Sequence, residues 1–307
     1  MRKILILILL SVAFICNSCQ DNLEDEQFQK FVLLVKNGYK EYQVELKESE
    51  TIRLPVSVGL NGTTKNNEDV RVRIGIASDT LNGYNFDKYK DETTFYHAVF
   101  PSSNYSLTPG DSTIVIKAGQ EYAAFDLELK DLENLPDKYK EYILPLSIKE
   151  TSMYSIAQPK YSTLLMRLIF SNSFSGVYKS SGKVKEVGGG EVDGPSRTLY
   201  AISHNECYTY AGNIDYQDPD RKKYIIHIKI EDGNKVSMSA LDPSIEFVKE
   251  SASIEITKED DLSDKRKVTV NTIIKVKYRY KDLHNVGFPV EMIADNITLS
   301  NTRSIDK

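Results

Sequence analysis

"VTVNTIIKVKYRY", Val268 to Tyr280, is the clearest structural element in this sequence. Val268, Val270, Thr272, Ile274, Val276, Tyr278 and Tyr280 share one parity. Lys267, Thr269, Asn271, Ile273, Lys275, Lys277 and Arg279 share the other. A period of two with one apolar face marks a half-buried strand. This one is far longer than the usual strand of roughly five or six residues. Long two-faced strands suit a strongly curved sheet or an up-and-down barrel.

Further strands are expected around it at Gly176 to Val187, Arg197 to Ser203, Cys207 to Gly212, Lys223 to Ile230, Lys235 to Ala240, Ile245 to Val248 and Ile254 to Thr257. Asn296 to Ser300 would close or edge the sheet. "EDGNKV" predicts a hairpin in which Asp232-Gly233 supply the φ > 0 residues. Closer to the amino terminus, Ile52, Leu54, Val56 and Val58 alternate with Arg53 and Ser57, and Val70, Val72, Ile74 and Ile76 with Arg71, Arg73 and Gly75. Phe125, Leu127 and Leu129 alternate with Asp126 and Glu128, and "YILPLSI" follows. Short strands between Asn, Gly, Asp and Pro turns predict a β-sandwich. No long amphipathic helix is evident in this half, and "LPDKYKEY" allows one helical turn. The small polar residues of "SNSFSG" place a boundary near Asn172, between a domain over 31–171 and another over 172–307.

The chain has 307 residues, a formal charge of −5, 19 Tyr, 11 Phe and no Trp. Removing a leader that carries Arg2, Lys3 and no acid would take the charge near −7. No basic block stands out, which argues against nucleic acid as a partner.

The leader reads Met1-Arg2-Lys3, then an uncharged run from Ile4 to Ile15. That run suits a signal-peptide core and is short of the roughly 20 residues that span a bilayer. Ser18-Cys19 puts a small residue directly before a cysteine, as lipoprotein processing requires, whereas Ile15-Cys16 would put a bulky one there. The segment resembles a bacterial lipobox, with Cys16 where Leu is usual. Residues 1–18 are therefore expected to be a signal peptide and Cys19 the lipidated residue, anchored in a membrane. The acidic linker over 19–30 resembles a surface-export signal, so the expected location is the outer membrane, facing the cell exterior. Cys207 is then the one remaining cysteine, expected to be buried and inert.

Catalytic and metal signatures are not found. Glu24-Asp25-Glu26 and Glu259-Asp260-Asp261 are adjacent acids, read as solvated surface rather than the converging pair that glycoside hydrolysis needs. His97, His204, His227 and His284 show no metal-ligand spacing. Asp215, Asp218 and Asp220 share one loop without a known calcium pattern, and read as a turn. No phosphate loop or nucleophile elbow appears. No enzyme activity, metal or cofactor is expected.

"NEDVRVRIGIASDTLNGYN", "FPSSNYSLTPGDSTIVIKAGQ" and "EYILPLSI" resemble, in order, the N-terminal Ig-like domain of unknown function found in lipoproteins of gut-bacterial glycan-utilisation systems. "FSGVYKSSGKV", "CYTYAG", "IIKVKYRYKD" and "ITLSNTR" resemble the C-terminal β domain that often accompanies it. The resemblance implies an all-β protein: an Ig-like β-sandwich followed by a β-sandwich or a lipocalin-like up-and-down β-barrel. It implies a surface lipoprotein near starch-utilisation-type transport complexes, capturing or displaying glycan. Some relatives carry the first domain ahead of an endoglycosidase barrel; neither that barrel nor its Asp-x-x-Asp-x-Asp-x-Glu motif is found here.

Sugar binding needs aromatic faces with planar polar groups beside them. "GYNFDKYKDETTFYHAVFPSSNY" offers Tyr84, Phe86, Tyr89, Tyr96 and Tyr105, with Asn85, His97 and Asn104. "YRYKDLHNVGF" offers Tyr278, Tyr280 and His284. An alternative makes Tyr278 and Tyr280 core or barrel lining, and Tyr84 and Phe86 a cover for the first core. Non-catalytic glycan capture is the reading favoured, against a structural or adhesion subunit that contacts another protein and has no sugar site.

Overall fold

The computed structural model describes residues 26–306 except Ser49, Pro109 and Val286. The leader, Cys16, Cys19 and the acids Glu24 and Asp25 lie outside the described residues.

In the first half the strands are β1 (Phe31–Leu34), β2 (Gly38–Glu45), β3 (Ile52–Leu60), β4 (Val70–Ile76), β5 (Ala98–Val99), β6 (Tyr105–Thr108), β7 (Thr113–Ile116), β8 (Tyr122–Leu129), β9 (Tyr142–Thr151), β10 (Ser155–Ile156) and β11 (Thr163–Ser171). They form two sheets, ordered β10-β1-β3-β8-β6 and β2-β11-β9-β4-β7, with β5 added beside β9. The alternating residues meet between the sheets: Val56, Val58, Val70, Val72, Phe125, Leu127, Leu144 and Leu146 share one core. This is the expected Ig-like sandwich.

One element there departs from the sequence reading. The segment after β4 turns into α1 (Ser78–Tyr89), a helix of 12 residues in a half where the sequence showed no long amphipathic one. Its apolar content is low and Gly83 sits inside it, which weakens an isolated helix by about 1 kcal/mol relative to Ala. Tertiary packing holds it. Leu81 is buried on Ile143 and Leu165, covering the outer face of β9 and β11. Asn85, one turn on, donates from Nδ2 to the His97 carbonyl at 2.9 Å and accepts the His97 amide at 3.0 Å. The helix thus fixes the segment that enters β5. "LPDKYKEY" is not helical; a short 3-10 turn covers Leu132–Asn134 just before it.

The second half holds β12 (Gly176–Glu186), β13 (Glu191–Asp193), β14 (Arg197–Ala201), β15 (Glu206–Tyr210), β16 (Ile225–Glu231), β17 (Lys235–Ala240), β18 (Val248–Asp260), β19 (Lys267–Asp282) and β20 (Val290–Asp306). They make one antiparallel sheet in the order β17-β16-β15-β14-β12-β20-β19-β18, with β13 beside β12. Its end strands curl towards each other, and Lys249 Nζ reaches the Val236 carbonyl at 3.3 Å across the seam. The result is a nearly closed barrel. The final strand is longer than the five residues expected and lies between β12 and β19, so it neither closes nor edges the sheet. The 232–234 loop places its positive φ at Gly233 and Asn234, one residue later than expected.

β19 obeys its parity. Val270, Thr272, Ile274, Val276, Tyr278 and Tyr280 are buried, while Lys277 and Arg279 pair with Glu250 at 3.2 and 2.9 Å on the wet face. The barrel is filled with side chains. Its residual cavity, beside Arg197 and Tyr278, is about 20 Å³, room for about one water. Asn172 ties the crossing between the halves: it is 4% exposed and accepts the amides of Phe174 and Ser175, while donating to the carbonyls of Ser203 and Glu206. Among the described residues no helix is long and apolar enough to cross a membrane.

Candidate functional site

The barrel hairpin β14–β15 carries three tyrosines on one face. Tyr200 and Tyr208 are direct cross-strand partners, and opposed residues in an antiparallel pair lie side by side. Their rings stack with centroids 4.9 Å apart and planes at 21°. Tyr210 lies two residues along, on the same face, edge-on to Tyr208 at 6.1 Å. In register beyond Tyr208 comes His227 of β16. Leu199, Cys207 and Ile228, of opposite parity, belong to the barrel core, and Tyr208 and Tyr210, each 7% exposed, are buried with them while Tyr200 is half-buried.

The first half supplies the opposite wall. Thr93–Phe95 form a 3-10 turn after α1, followed by Tyr96 and His97 as the chain enters β5. The turn before β9 adds Tyr139, Lys140 and Glu141. Together these walls enclose a cleft of about 310 Å³, at the small end of ligand sites, which run about 300–1,000 Å³ and favour domain junctions.

Side-chain contacts hold the cleft open in one shape. Tyr139 packs edge-on against Tyr208 at 5.3 Å, and its hydroxyl meets His227 Nε2 at 2.8 Å. His227 Nδ1 in turn bonds Glu206 Oε1 at 2.7 Å. Tyr216, from the loop after β15, donates to Glu141 Oε1 at 3.1 Å. The Arg221 guanidinium lies 4.3 Å from the Phe95 centroid and 4.9 Å from that of Tyr216, a cation capping two rings that themselves meet at 5.7 Å with planes tilted by 53°.

Glu141 is the best-partnered acid. Its Oε2 lies 3.1 Å from His97 Nδ1 and 3.1 Å from Arg167 Nη2. Burial alone would raise its carboxyl; the His97 contact and the Arg167 charge outweigh that and hold it below the ordinary value of 4.5. Burial raises the phenols of Tyr208 and Tyr216, and pushes Tyr210 up to about 12. These hydroxyls stay protonated and act as neutral donors and acceptors at ordinary pH.

Of the expected sugar-contacting residues, Tyr96 lines this cleft, joined by His97. Tyr89 stands behind it, its hydroxyl 3.1 Å from His97 Nε2. Tyr84 is stacked between Tyr39 and His97 at 5.3 and 5.9 Å. Phe86 is exposed on α1 with the Lys90 ammonium over its ring. Tyr105 packs on Phe100 at the first core. Tyr278 and Tyr280 are barrel interior, 5% and 1% exposed, and present no stacking face. His284 lies apart from the cleft, stacked on Tyr224 at 5.2 Å and bonded to Asp282 and Asp218. Asn85 and Asn104 are buried and spend their side chains on backbone groups.

Sequence reading missed Phe95, Tyr139, Tyr200, Tyr208, Tyr210, Tyr216 and Arg221. One signal was present: in "YAISHNECYTY" the three tyrosines of the hairpin share one parity and so one face. The acidic pattern also needs correction at one residue. Glu26 is not simply solvated, since its carboxylate accepts the amides of Thr63 and Thr64 at 2.8 and 3.2 Å. Asp215 and Asp218 cap the amides of Gln217 and Asp220 within the 215–220 turn. Cys207 is buried against Asn172 Oδ1 at 3.3 Å, and burial raises its thiol to about 12.

Two family models match the chain. One, described as an N-terminal domain, covers residues 28–155; the other, described as a C-terminal domain, covers 162–294. A Bacteroides ovatus protein of unknown function has a similar structure, with a TM-score of 0.78, 21% identity, and 91% of this chain and 96% of that one covered. A multidomain protein including DUF1735, also from Bacteroides ovatus, has a TM-score of 0.76 at 21% identity, with 90% and 96% covered. An auxiliary nutrient binding protein from Bacteroides thetaiotaomicron has a TM-score of 0.70 at 21% identity, with 87% and 92% covered. Among curated proteins, none matches the sequence.

Proposed function

The chain belongs to the two-domain family defined by that N-terminal and that C-terminal domain, and on this premise we propose that it is a non-catalytic binding protein of a nutrient-utilisation system. The family, together with the nutrient-binding description of one structural neighbour, fits that role. The finer reading is capture of a glycan in the cleft between the two halves.

The observation that carries it is the half-buried ring of Tyr200, backed by the buried Tyr208, across the cleft from the tilted Phe95–Tyr216 pair capped by Arg221. Aromatic faces suit the C–H surfaces of a sugar ring, while Glu141, Lys140 and the threonines of the 93–95 turn offer hydroxyl partners. The state of Glu141 supports capture over turnover at this carboxyl. A glycosidase needs a general acid whose pKa is raised, and this carboxyl is lowered. Calorimetric titration of the soluble chain with glycans, before and after Tyr200→Ala, tests the reading.

The anchor is part of the same proposal. Lipid on Cys19, with the acidic stretch as a tether, would hold the cleft on the outer face of the outer membrane, beside transport-complex proteins. The pattern Ser18-Cys19 after a short apolar run supports it.

A further inference from the structure

Arg221 is 5% exposed and lines the cleft. Its Nη1 donates to the Asp218 carbonyl at 3.1 Å and its Nη2 to the Thr94 carbonyl at 3.3 Å, and the neutral Tyr210 hydroxyl is a further hydrogen-bond partner. Among the described residues no carboxylate lies within ion-pair distance of it. A desolvated charge without a counter-ion is unfavourable, and a guanidinium is the side chain best shaped to take a planar or tetrahedral oxyanion.

The surrounding charges do not compensate it. Lys140 and Lys222, about half exposed at the rim, share the single carboxylate of Asp137 at 4.0 and 3.6 Å. Glu141 is engaged by Arg167 and His97, and Arg167 also faces Glu41 at 2.7 Å. Glu141, Asp137 and Asp220 are matched by other cations, and none of them pairs with Arg221. This positive cleft sits in a chain whose formal charge is −5.

We infer that the cleft takes an acidic glycan, one bearing uronate carboxylates or sulfate esters, with Arg221 as the oxyanion contact and Lys140 and Lys222 at the rim. The inference rests on the glycan-capture reading and narrows it. The aromatic walls hold the sugar faces while the guanidinium edge takes the charge.

The test is a panel of matched pairs titrated against the soluble chain: oligogalacturonates and their carboxyl-reduced forms, and sulfated glycosaminoglycan fragments and their desulfated forms. The expected result is binding to acidic members that weakens with added salt and is lost on reduction or desulfation. Arg221→Gln should lower the affinity roughly ten- to hundredfold. The rim variant Lys222→Ala should lower it more modestly, and its exposed position leaves the fold intact. Neutral and acidic partners binding alike, with no salt dependence, would overturn the acidic assignment and leave glycan capture standing. Binding to neither class, with neutral glycans also silent, would remove the capture reading itself.

Discussion

Tyr216 of the barrel half donates its hydroxyl to Glu141 Oε1 of the sandwich half, 3.1 Å away. This bond joins the two walls of the cleft at a carboxylate already gripped by Arg167 and His97. Tyr216→Phe should lower the unfolding free energy by about 1 kcal/mol, the usual value of one hydrogen bond. Glu141→Gln should lower it by roughly 1–3 kcal/mol, since it leaves Arg167 with only Glu41. Denaturant titrations of both variants measure this.

The same carboxyl sets part of the acid limb of stability. The folded Glu141 lies below its ordinary 4.5, and so does Glu206, held down by the His227 hydrogen bond. A depressed folded carboxyl contributes stability that is fully present above the unfolded value and lost as pH falls through the folded one. Stability should therefore hold from neutral pH to about 5 and then decline. Glu26 and Asp261, lowered to about 2 by hydrogen bonds from Thr63 and Ser263, extend the decline to about pH 2. His284 works in the opposite sense. Its Asp282 hydrogen bond raises it above 6.5, so its contribution fades as pH rises through that raised value. Glu141→Gln should flatten the acid limb when melting is followed from pH 7 to 3.

Gly182 sits at the bulge where β12 slips register against β20, between Ser181 and Lys183. Its φ is +108°, and a Cβ there would strike the Asn296 carbonyl. The atoms it would meet are all backbone, from Asp295 and Asn296, so no side chain can rotate away. Gly182→Ala should destabilise the chain by about 2–4 kcal/mol, combining overpacking with a disfavoured φ. A chemical-denaturation midpoint well below wild type is the expected readout.

Cys19 carries the localisation proposal. Cys19→Ser should shift the protein from the membrane fraction to the soluble fraction and abolish incorporation of labelled fatty acid. Unchanged fractionation and labelling would remove the anchor from the account.

The all-β architecture was legible where strands alternate strictly, as β4 and β19 do, while a sandwich or a barrel stayed open for the second half because strand parity does not show which edges meet. β19 shows the alternation best, with its buried residues the ones it picks out. Helix α1 was not legible, since Leu81 and Asn85 are its only buried residues and neither makes an apolar stripe. The cleft was half legible. The Tyr89–His97 stretch was found because its aromatics are contiguous in the chain. The barrel side escaped because Tyr200, Tyr208, Tyr216 and Arg221 come together only when β14, β15 and the following loop fold against the first half. Tyr278 and Tyr280 continue the apolar parity of β19, which favoured the core-lining alternative over a sugar site, and their burial follows it.

The central claim is that the aromatic cleft binds glycan, and calorimetric titration of residues 22–307 after a glycan-array screen measures it most directly. The account predicts saturable binding to one glycan class, weakened roughly tenfold or more by Tyr200→Ala in a variant that melts like wild type. Silence across host and plant glycans, or binding that Tyr200→Ala leaves untouched, would contradict it and favour a protein-contacting role.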